Sequence, residues 1–377
     1  MKTLAFSLAL FFAATSCGKQ GTHSTSAIAS QESSSASPVS GPFSSQELRH
    51  FVALNPLDTH THVYRGTPAF YAMLKKLNLH ILDITLADDT ISVFKDLPKE
   101  IQEAWQVVDD SDGYVALCTS FDSYKFSQPG FSQDAIRKIN RDFARGAVAV
   151  KFYKNVGMEI KDAKGNYLMP DNPVFEPIFR DIAAHNKTLI THLADPDSVW
   201  KAPNPAAPDY DYLMQDPRRF MYGKPGAPTK QAILQARDRI LDRNPNLRMV
   251  GAHLGSMEGN FDELGQHLDK YPNFAVDMAA RIAFFEMQPR GKMIAFITKY
   301  QDRLIYGTDN EFYPSSSITV QDWEDTYAKD WRYLATNDTI LYRKQKVQGL
   351  DLPPSILRKL YHDNAVKWFP DILRKEH

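Results

Sequence analysis

The chain of 377 residues carries 44 Lys and Arg against 45 Asp and Glu, which gives a formal net charge of −1. A charge so balanced provides no field that would attract phosphate backbones, and this argues against nucleic acid as a partner. With 43% hydrophobic residues the composition is that of a globular protein with a large core. The two cysteines exclude a disulfide framework and a cysteine-rich zinc module.

The N-terminus has the features of a bacterial export signal. Lys2 precedes an apolar run over residues 4–14, which is too short to cross a membrane, because about 20 residues are needed for that. Residues 14–18 (ATSCG) resemble a lipobox, although Ala14 stands where Leu is usual. We therefore predict a signal peptide over residues 1–16 and lipidation of Cys17. Ordinary signal cleavage, which would leave Cys17 as a plain thiol, is the alternative.

These features predict an exported protein that is anchored in the bacterial cell envelope, with its lipid as the only contact with the membrane. The segment after the cysteine, residues 17–46, is rich in Ser, Ala, Gly and Pro. Such a segment cannot bury enough apolar surface to offset the entropy lost on ordering, so we predict a flexible linker. The folded domain is predicted to span residues 47–377.

In that domain, short apolar or β-branched runs alternate with amphipathic stretches. The predicted strands are residues 53–62, 80–86, 114–120, 147–152, 188–193, 248–254, 274–278 and 304–308. The predicted helices are residues 67–77, 99–108, 133–145, 174–186, 230–243, 261–270, 292–300 and 356–369. Eight strands, each followed by a helix, predict a (β/α)8 TIM barrel. A doubly wound sheet is the alternative, but no glycine-rich phosphate loop follows the first strand, where that fold usually carries one.

The first predicted strand ends in a candidate metal-binding motif, Asp58-x-His60-x-His62. Alternate residues of a strand share one face, so these three side chains are expected to point the same way. Two imidazoles at this spacing can bind one ion if the strand twists toward it. Because two such histidines are as often plain surface or pocket residues, the motif by itself does not decide the matter.

Three further candidates fall at the ends of predicted strands. His192 ends the fifth, His253 ends the sixth, and Asp309 follows the eighth. In a TIM barrel the C-terminal ends of the strands converge on the face that carries the chemistry. The other histidines lie in the tether, helices, tail and strand starts, and we interpret them as solvated or capping residues. The strand-end set therefore predicts a metal site.

The order of these residues resembles a known family. The DxHxH motif at residues 58–62, followed by the two later histidines and the aspartate, is similar to that of the amidohydrolase superfamily. The sequences AHLG at 252–255, YGTD at 306–309 and NA at 364–365 resemble its amidohydrolase 2 branch, which contains metal-dependent hydrolases and decarboxylases. The resemblance covers about residues 54–369, and it is specific for the superfamily but not for a substrate.

This resemblance implies a TIM barrel that holds one divalent metal, most often zinc, with the ligands His60, His62, His192 and Asp309. It also implies that His253 faces the metal-bound water or the substrate. The chemistry agrees, because imidazoles and a carboxylate suit zinc, which lowers the pKa of its water toward ~7. Asp309 can also accept the proton of that water, while His253 can donate to an oxyanion or a leaving group. His253 and Asp309 are therefore the predicted catalytic residues.

Two cations are predicted to bind the substrate. Lys151 ends the fourth strand in an apolar run, and it could pair with a substrate carboxylate or form a structural ion pair. In the binuclear members of the superfamily a lysine at this position is carboxylated and bridges a second metal, which is a third alternative. Arg281 could clamp an anionic substrate bidentately, or pair with Asp277 or a loop carboxylate. The long segment 195–229, rich in Pro and aromatic residues, is interpreted as a lid or pocket wall.

Two enzymatic functions are compatible with these residues. The first is a metal-dependent hydrolase that uses a metal-activated water on a lactone, ester or amide of a small carboxylated molecule. The alternative is a non-oxidative decarboxylase on the same scaffold. A binding protein that has lost turnover is a third hypothesis, but the intact ligand set argues against it. The predicted export favours hydrolysis of incoming material, since decarboxylases of this branch mostly serve cytoplasmic catabolism.

Overall fold

The computed structural model describes residues 38–89, 95–207, 209–313, 317–342 and 345–373. The predicted signal peptide, Cys17 and most of the predicted linker lie outside these ranges. Among the helices of the described ranges, none is long and apolar enough to cross a membrane.

One parallel sheet organises the described chain. Its strands are β1 Leu57–Val63, β2 His80–Ile84, β3 Val115–Ser120, β4 Ala149–Phe152, β5 Thr188–Thr191, β6 Arg248–Gly251, β7 Phe274–Asp277, β8 Leu304–Ile305 and β9 Asn310–Phe312. They lie in the order β8-β7-β6-β5-β4-β3-β2-β1-β9, and each described pairing is parallel. A separate antiparallel hairpin is formed by β10 Thr339–Tyr342 and β11 Gln345–Gln348.

The sheet curls because its two edges are formed by one continuous stretch of chain. β8 pairs with β7, and β9, a few residues later, pairs with β1. Between them the Thr59 amide donates to the Tyr306 carbonyl at 3.1 Å, and the Asp309 amide donates to the His60 carbonyl at 2.8 Å. This arrangement is consistent with a TIM-like barrel and confirms the predicted α/β class, and all eight predicted strands are present.

Helices follow most of the strands along the chain. They are α1 Ser45–Ala53, α2 Pro68–Leu77, α3 Leu97–Asp110, α4 Phe131–Arg145, α5 Asn155–Met158, α6 Glu176–Ala184, α7 Tyr210–Gln215, α8 Lys230–Arg243, α9 Ala252–Gly255, α10 Phe261–Lys270, α11 Ile282–Glu286, α12 Arg290–Tyr300, α13 Val320–Ala335, α14 Pro354–Arg358 and α15 Asn364–Trp368. One apolar cluster fills the space between the helices and the sheet, and a second, smaller one lies on the other face of the strands. Burial on both faces explains why most of the strands are largely apolar.

The C-terminal helix covers the N-terminal ends of the strands. The Thr188 hydroxyl at the start of β5 donates to the Trp368 carbonyl. The Asn364 amide at the start of α15 donates to the Leu304 carbonyl at the start of β8, at 2.7 Å. This end of the sheet is therefore closed, and the opposite end carries the candidate residues.

The structure differs from the sequence prediction at the start of the domain. The first strand begins at Leu57, not at residue 53, because residues 45–53 form α1, whose N-terminus is a capping box between Ser44 and Glu47. Buried Arg332 of α13 pairs with Glu47 at 2.6 Å and donates to the carbonyl groups of residues 41 and 42. The end of the predicted linker therefore packs on the domain. Helix α13, strand β9 and the β10–β11 hairpin were not predicted.

Candidate metal centre

Strand β1 and the turn between β8 and β9 bring the first three candidates together. His60 and His62 alternate along β1, and their ring centroids are 5.6 Å apart. The Asp309 carboxylate lies between them, with Oδ1 at 3.4 Å from Nε2 of each ring. Asp309 adopts a left-handed backbone with φ of 67°, a conformation that Asp tolerates better than most residues.

These three residues could hold a metal ion. Two ligands of a tetrahedral ion with bonds of ~2.1 Å are about 3.4 Å apart, which is the separation of Asp309 Oδ1 from both ring nitrogens. Both histidines are buried, whereas the Asp309 side chain is 31% exposed, so an ion has a route from solvent. The spacing, the nitrogen and oxygen donors and the partial exposure all fit a bound divalent cation.

The hydrogen bonds on the far sides of the two rings determine which nitrogen faces Asp309. His60 Nδ1 lies 2.8 Å from Asp277 Oδ2, and His62 Nδ1 lies 2.7 Å from the Ile84 carbonyl. A carbonyl only accepts hydrogen bonds, and a carboxylate does the same, so both Nδ1 atoms carry the proton. In the neutral rings Nε2 is then the unprotonated nitrogen, which is the form that binds metals.

Asp277 is a site residue that the sequence analysis mentioned only as a possible partner of Arg281. It ends β7 and is buried. Its Oδ2 accepts from His60, while its Oδ1 accepts from the backbone amides of His253 at 2.8 Å and Ala279 at 3.1 Å. Asp277 thus orients two histidines at once. Its place at the end of a predicted strand, like that of the other candidates, is the signal that could have identified it.

His253 lies in a tight left-handed turn after β6. Residues 253–256 have φ values of 57–60°, and such a conformation costs roughly 1–2 kcal/mol for each residue other than Gly. The Asp277 hydrogen bond to the His253 amide helps to hold this turn. His253 Nδ1 lies 2.9 Å from the Ala279 carbonyl and therefore carries a proton, which leaves Nε2 as an acceptor. Its ring centroid is 4.7 Å from that of His60.

His192 lies beside His253, outside the metal group. Its ring centroid is 4.3 Å from that of His253, and its Nε2 lies 3.0 Å from Asp195 Oδ1. Among the described residues, candidate ligand atoms converge in two groups. The first is His60, His62 and Asp309, and the second is His60, His253 and Asp277. His192 belongs to neither group, so its role as a ligand stays a prediction.

Asp58, the first residue of the DxHxH motif, belongs to neither group. Its Oδ2 accepts from the hydroxyls of Thr308 at 2.6 Å and Tyr327 at 2.8 Å, and its Oδ1 accepts from the amides of His60 and Thr308. Because Thr308 precedes Asp309, this carboxylate ties β1 to the turn that carries the aspartate ligand. Asp58 therefore holds the two parts of the metal group in register.

Of the two predicted substrate-binding cations, Lys151 contacts a histidine of the metal group. Lys151 is 1% exposed, and its Nζ lies 3.1 Å from His60 Nε2, next to the metal group. Arg281 Nε lies 3.8 Å from Glu258 Oε2, so its nearest carboxylate is that of Glu258 and not that of Asp277. Arg281 Nε is buried and makes no hydrogen bond to the described residues.

Burial and mutual charge determine the protonation of the site. Burial lowers the pKa of His253 to about 3, and it also lowers the pKa of His192 and, with the help of Lys151, that of His60. Burial alone would raise the pKa of Asp309, but His253 and the β1 histidines outweigh it and lower that pKa well below its usual value. Burial alone would lower the pKa of His62, but the Asp309 carboxylate outweighs it and raises that pKa, so a divalent cation competes with a proton at His62.

The model of the amidohydrolase family (Amidohydro_2) matches residues 57–370. The chain belongs to this family. This confirms the resemblance noted in the sequence, and members of the wider superfamily are metal-dependent enzymes. No curated protein matches the chain.

The solved structures to which the chain is similar include three enzymes. A 4-oxalomesaconate hydratase from Rhodopseudomonas palustris has 12% identity and a TM-score of 0.49, covering 84% of this chain and 95% of that one. A 5-carboxyvanillate decarboxylase from Novosphingobium aromaticivorans, in complex with manganese, has 15% identity and a TM-score of 0.48, covering 83% and 95%. A dihydroorotase from Campylobacter jejuni has 11% identity and a TM-score of 0.46, covering 83% and 82%. At these values the likeness says nothing about substrate or reaction.

Proposed function

We propose that this amidohydrolase-family chain is a metal-dependent hydrolase of a lactone, ester or amide of a small carboxylated molecule. The observation that carries the proposal is the convergence of His60 Nε2 and His62 Nε2 on Asp309 Oδ1, each at 3.4 Å, with both Nδ1 atoms already engaged elsewhere. Zinc is the proposed metal, because the spacing matches a tetrahedral ion with nitrogen and oxygen ligands. His192 is the proposed fourth protein ligand.

The proton acceptors of the site suit hydrolysis. A bound divalent cation supplies the Lewis acidity that makes water a nucleophile at neutral pH. His253 donates from Nδ1 to the Ala279 carbonyl, so its Nε2 begins as an acceptor. In this proposal His253 therefore takes a proton first and only then donates it to the leaving oxygen or nitrogen, whereas the sequence suggested a donor from the start. Asp309 is the second acceptor, since its carboxylate is ionised.

Two cations support a substrate that carries a carboxylate. Arg281 has a buried Nε–H that makes no hydrogen bond to the described residues, and a planar carboxylate would satisfy it. Lys151 brings a second positive charge to His60 at the metal group. In this proposal Lys151 turns from His60 Nε2 toward the substrate when a cation takes that nitrogen. Carboxylation of Lys151 with a second metal is the alternative, and metal content distinguishes the two.

Decarboxylation is the second candidate function, and Lys151 is the observation that favours it. A decarboxylase must deliver a proton to the carbon that loses CO₂, and Lys151 is a buried donor within 3.1 Å of His60. The two other reactive groups, Asp309 and His253 Nε2, are acceptors at rest. The balance of acceptors over donors favours hydrolysis.

The experiment that tests this proposal is a paired assay on the zinc-loaded protein. Lactones, esters and amides of small carboxylic acids are screened for acid release, and unsaturated and aromatic carboxylic acids are screened for CO₂ release. His60→Ala and the metal-free protein serve as controls. Acid release that both controls lose is the expected result. CO₂ release without acid release would replace the hydrolase by the decarboxylase, and turnover that persists in both controls would refute a metal-dependent reaction.

We also propose that the protein is exported and anchored by a lipid on Cys17 in the bacterial cell envelope. The support is the N-terminal sequence alone, which combines a short apolar run with a lipobox-like motif at residues 14–18. The proposed partners are a small carboxylated substrate and the membrane through this anchor, without nucleic acid.

A further inference from the structure

The turn after β5 folds a carboxylate back onto His192. Ala194 adopts a left-handed backbone with φ of 68°, and its carbonyl accepts a hydrogen bond from the Ser256 hydroxyl at 3.1 Å. A left-handed alanine is strained, and such strain persists only where the surroundings hold it. As a result Asp195, three residues after His192, places Oδ1 at 3.0 Å from His192 Nε2.

Lys154, in the loop after β4, holds this carboxylate in turn. Its Nζ lies 2.8 Å from Asp195 Oδ1 and 2.7 Å from Oδ2. The side chains of Lys154 and Asp195 are 13% and 3% exposed, so the ion pair is largely removed from water. Taking two charges out of water is costly, and such a pair is weak evidence for a purely stabilising role. What the ion pair does is geometric, because it holds both oxygens of the Asp195 carboxylate in place beside His192.

The carboxylate determines which nitrogen of His192 carries the proton. A carboxylate held by a lysine accepts hydrogen bonds and has none to donate, so a neutral His192 beside it carries its proton on Nε2. The unprotonated nitrogen is then Nδ1. This is the reverse of His60 and His62, whose Nδ1 atoms are the protonated ones.

We propose that Asp195, anchored by Lys154, is a positioning residue that fixes His192 as the Nε2–H tautomer and so makes Nδ1 its metal-binding atom. The inference deepens the proposed function, because it rests on His192 being a ligand. It also assigns Asp195, the first residue of the segment 195–229, a role at the metal centre. In the sequence this aspartate is only the first residue of a long loop, and no motif marks Lys154.

The test begins with nitrogen NMR of the full chain labelled with ¹⁵N-histidine, in the metal-free state. His192, assigned by the signal lost in His192→Gln, is expected to carry its proton on Nε2. Asp195→Ala should convert this signal into a mixture of tautomers and weaken zinc binding about 10–100-fold in a chelator competition, the usual effect of removing such a partner. The matched control is Asp197→Ala, which removes a carboxylate that pairs with Lys230 and leaves the Asp195–His192 contact in place. It should change neither readout.

A wild-type His192 protonated on Nδ1 would overturn the inference, and the tautomer is read in the wild-type protein, since His192→Gln serves only to assign the signal. Asp195→Ala with wild-type zinc affinity would also overturn it. The failure of the proposed function has a different signature. A wild-type protein that binds no metal, while His192 is an Nε2–H tautomer that Asp195→Ala disturbs, would refute the metal-dependent hydrolase and leave the positioning contact standing.

Discussion

Replacing Asp277 by asparagine should weaken metal binding through the tautomer of His60. In the native protein three N–H groups meet this carboxylate, two backbone amides on Oδ1 and His60 Nδ1 on Oδ2. Backbone amides can only donate, so the oxygen of an asparagine must face them and its NH₂ group must face His60 Nδ1. That group donates too, and the proton of His60 is then forced onto Nε2, the nitrogen that faces Asp309.

The expected loss of metal affinity follows from the change of tautomer at His60. With a proton on Nε2, His60 binds a metal only after the new hydrogen bond breaks and the ring changes tautomer. Loss of such a supporting partner typically costs 10–100-fold in metal affinity, which is about 1.4–2.7 kcal/mol. We expect Asp277→Asn to fall in this range. Asp277→Ala, which imposes no tautomer, should lose no more affinity than Asp277→Asn although it is the poorer steric match.

The assay is competition for zinc between the protein and a chelator of known affinity, with the unfolding temperature of the metal-free protein as a check on the fold. The matched control is Asp330→Asn. Asp330 is also buried and accepts one hydrogen bond, from the Tyr306 hydroxyl at 2.9 Å, but it belongs to neither group of candidate ligands. The zinc affinity of the Asp330→Asn variant should equal that of the wild type. Wild-type affinity in Asp277→Asn would refute the tautomer argument, and so would an equal loss in Asp330→Asn.

Four further outcomes are expected. His60→Ala should remove most of the bound metal, measured by elemental analysis, and nearly all activity. His253→Ala should keep about one metal per chain and lower kcat by about 10²–10⁴-fold. If instead a carboxylated Lys151 bridges two metals, His253→Ala and Lys151→Ala should each reduce the metal content from about two per chain to about one. Lys154→Met should lower the unfolding free energy in urea by about 3–5 kcal/mol, because it leaves a buried carboxylate unpaired. Cys17→Ala should move the protein from the membrane to the soluble fraction, and unchanged fractionation would contradict lipidation without affecting export.

The strands and the core of the site could be predicted from the sequence, because both are encoded locally. Apolar runs buried on two faces indicate strands, so β2 was predicted from the residues that form it, and α8 was predicted from its amphipathic pattern. The rule that strand C-termini converge then brought His60, His62 and Asp309 together without coordinates. The start of β1 was wrong by four residues, since Ala53 ends α1 and residues 54–56, which include the apolar Leu54, form the turn before the strand.

The partners that set the chemistry of these residues depend on the tertiary structure. The sequence alone determined the family, the strand-end histidines and the aspartate between them, because spacing along a strand and order along the chain are enough for that. Only the folded chain decided that Asp277 accepts the hydrogen bond of His60 Nδ1, and that Asp195, held by Lys154, lies at Nε2 of His192. Most of these contacts join strands and loops that are distant in sequence. A hydrogen bond also depends on a donor–acceptor distance within a few tenths of an ångström, and the order of residues does not determine that distance.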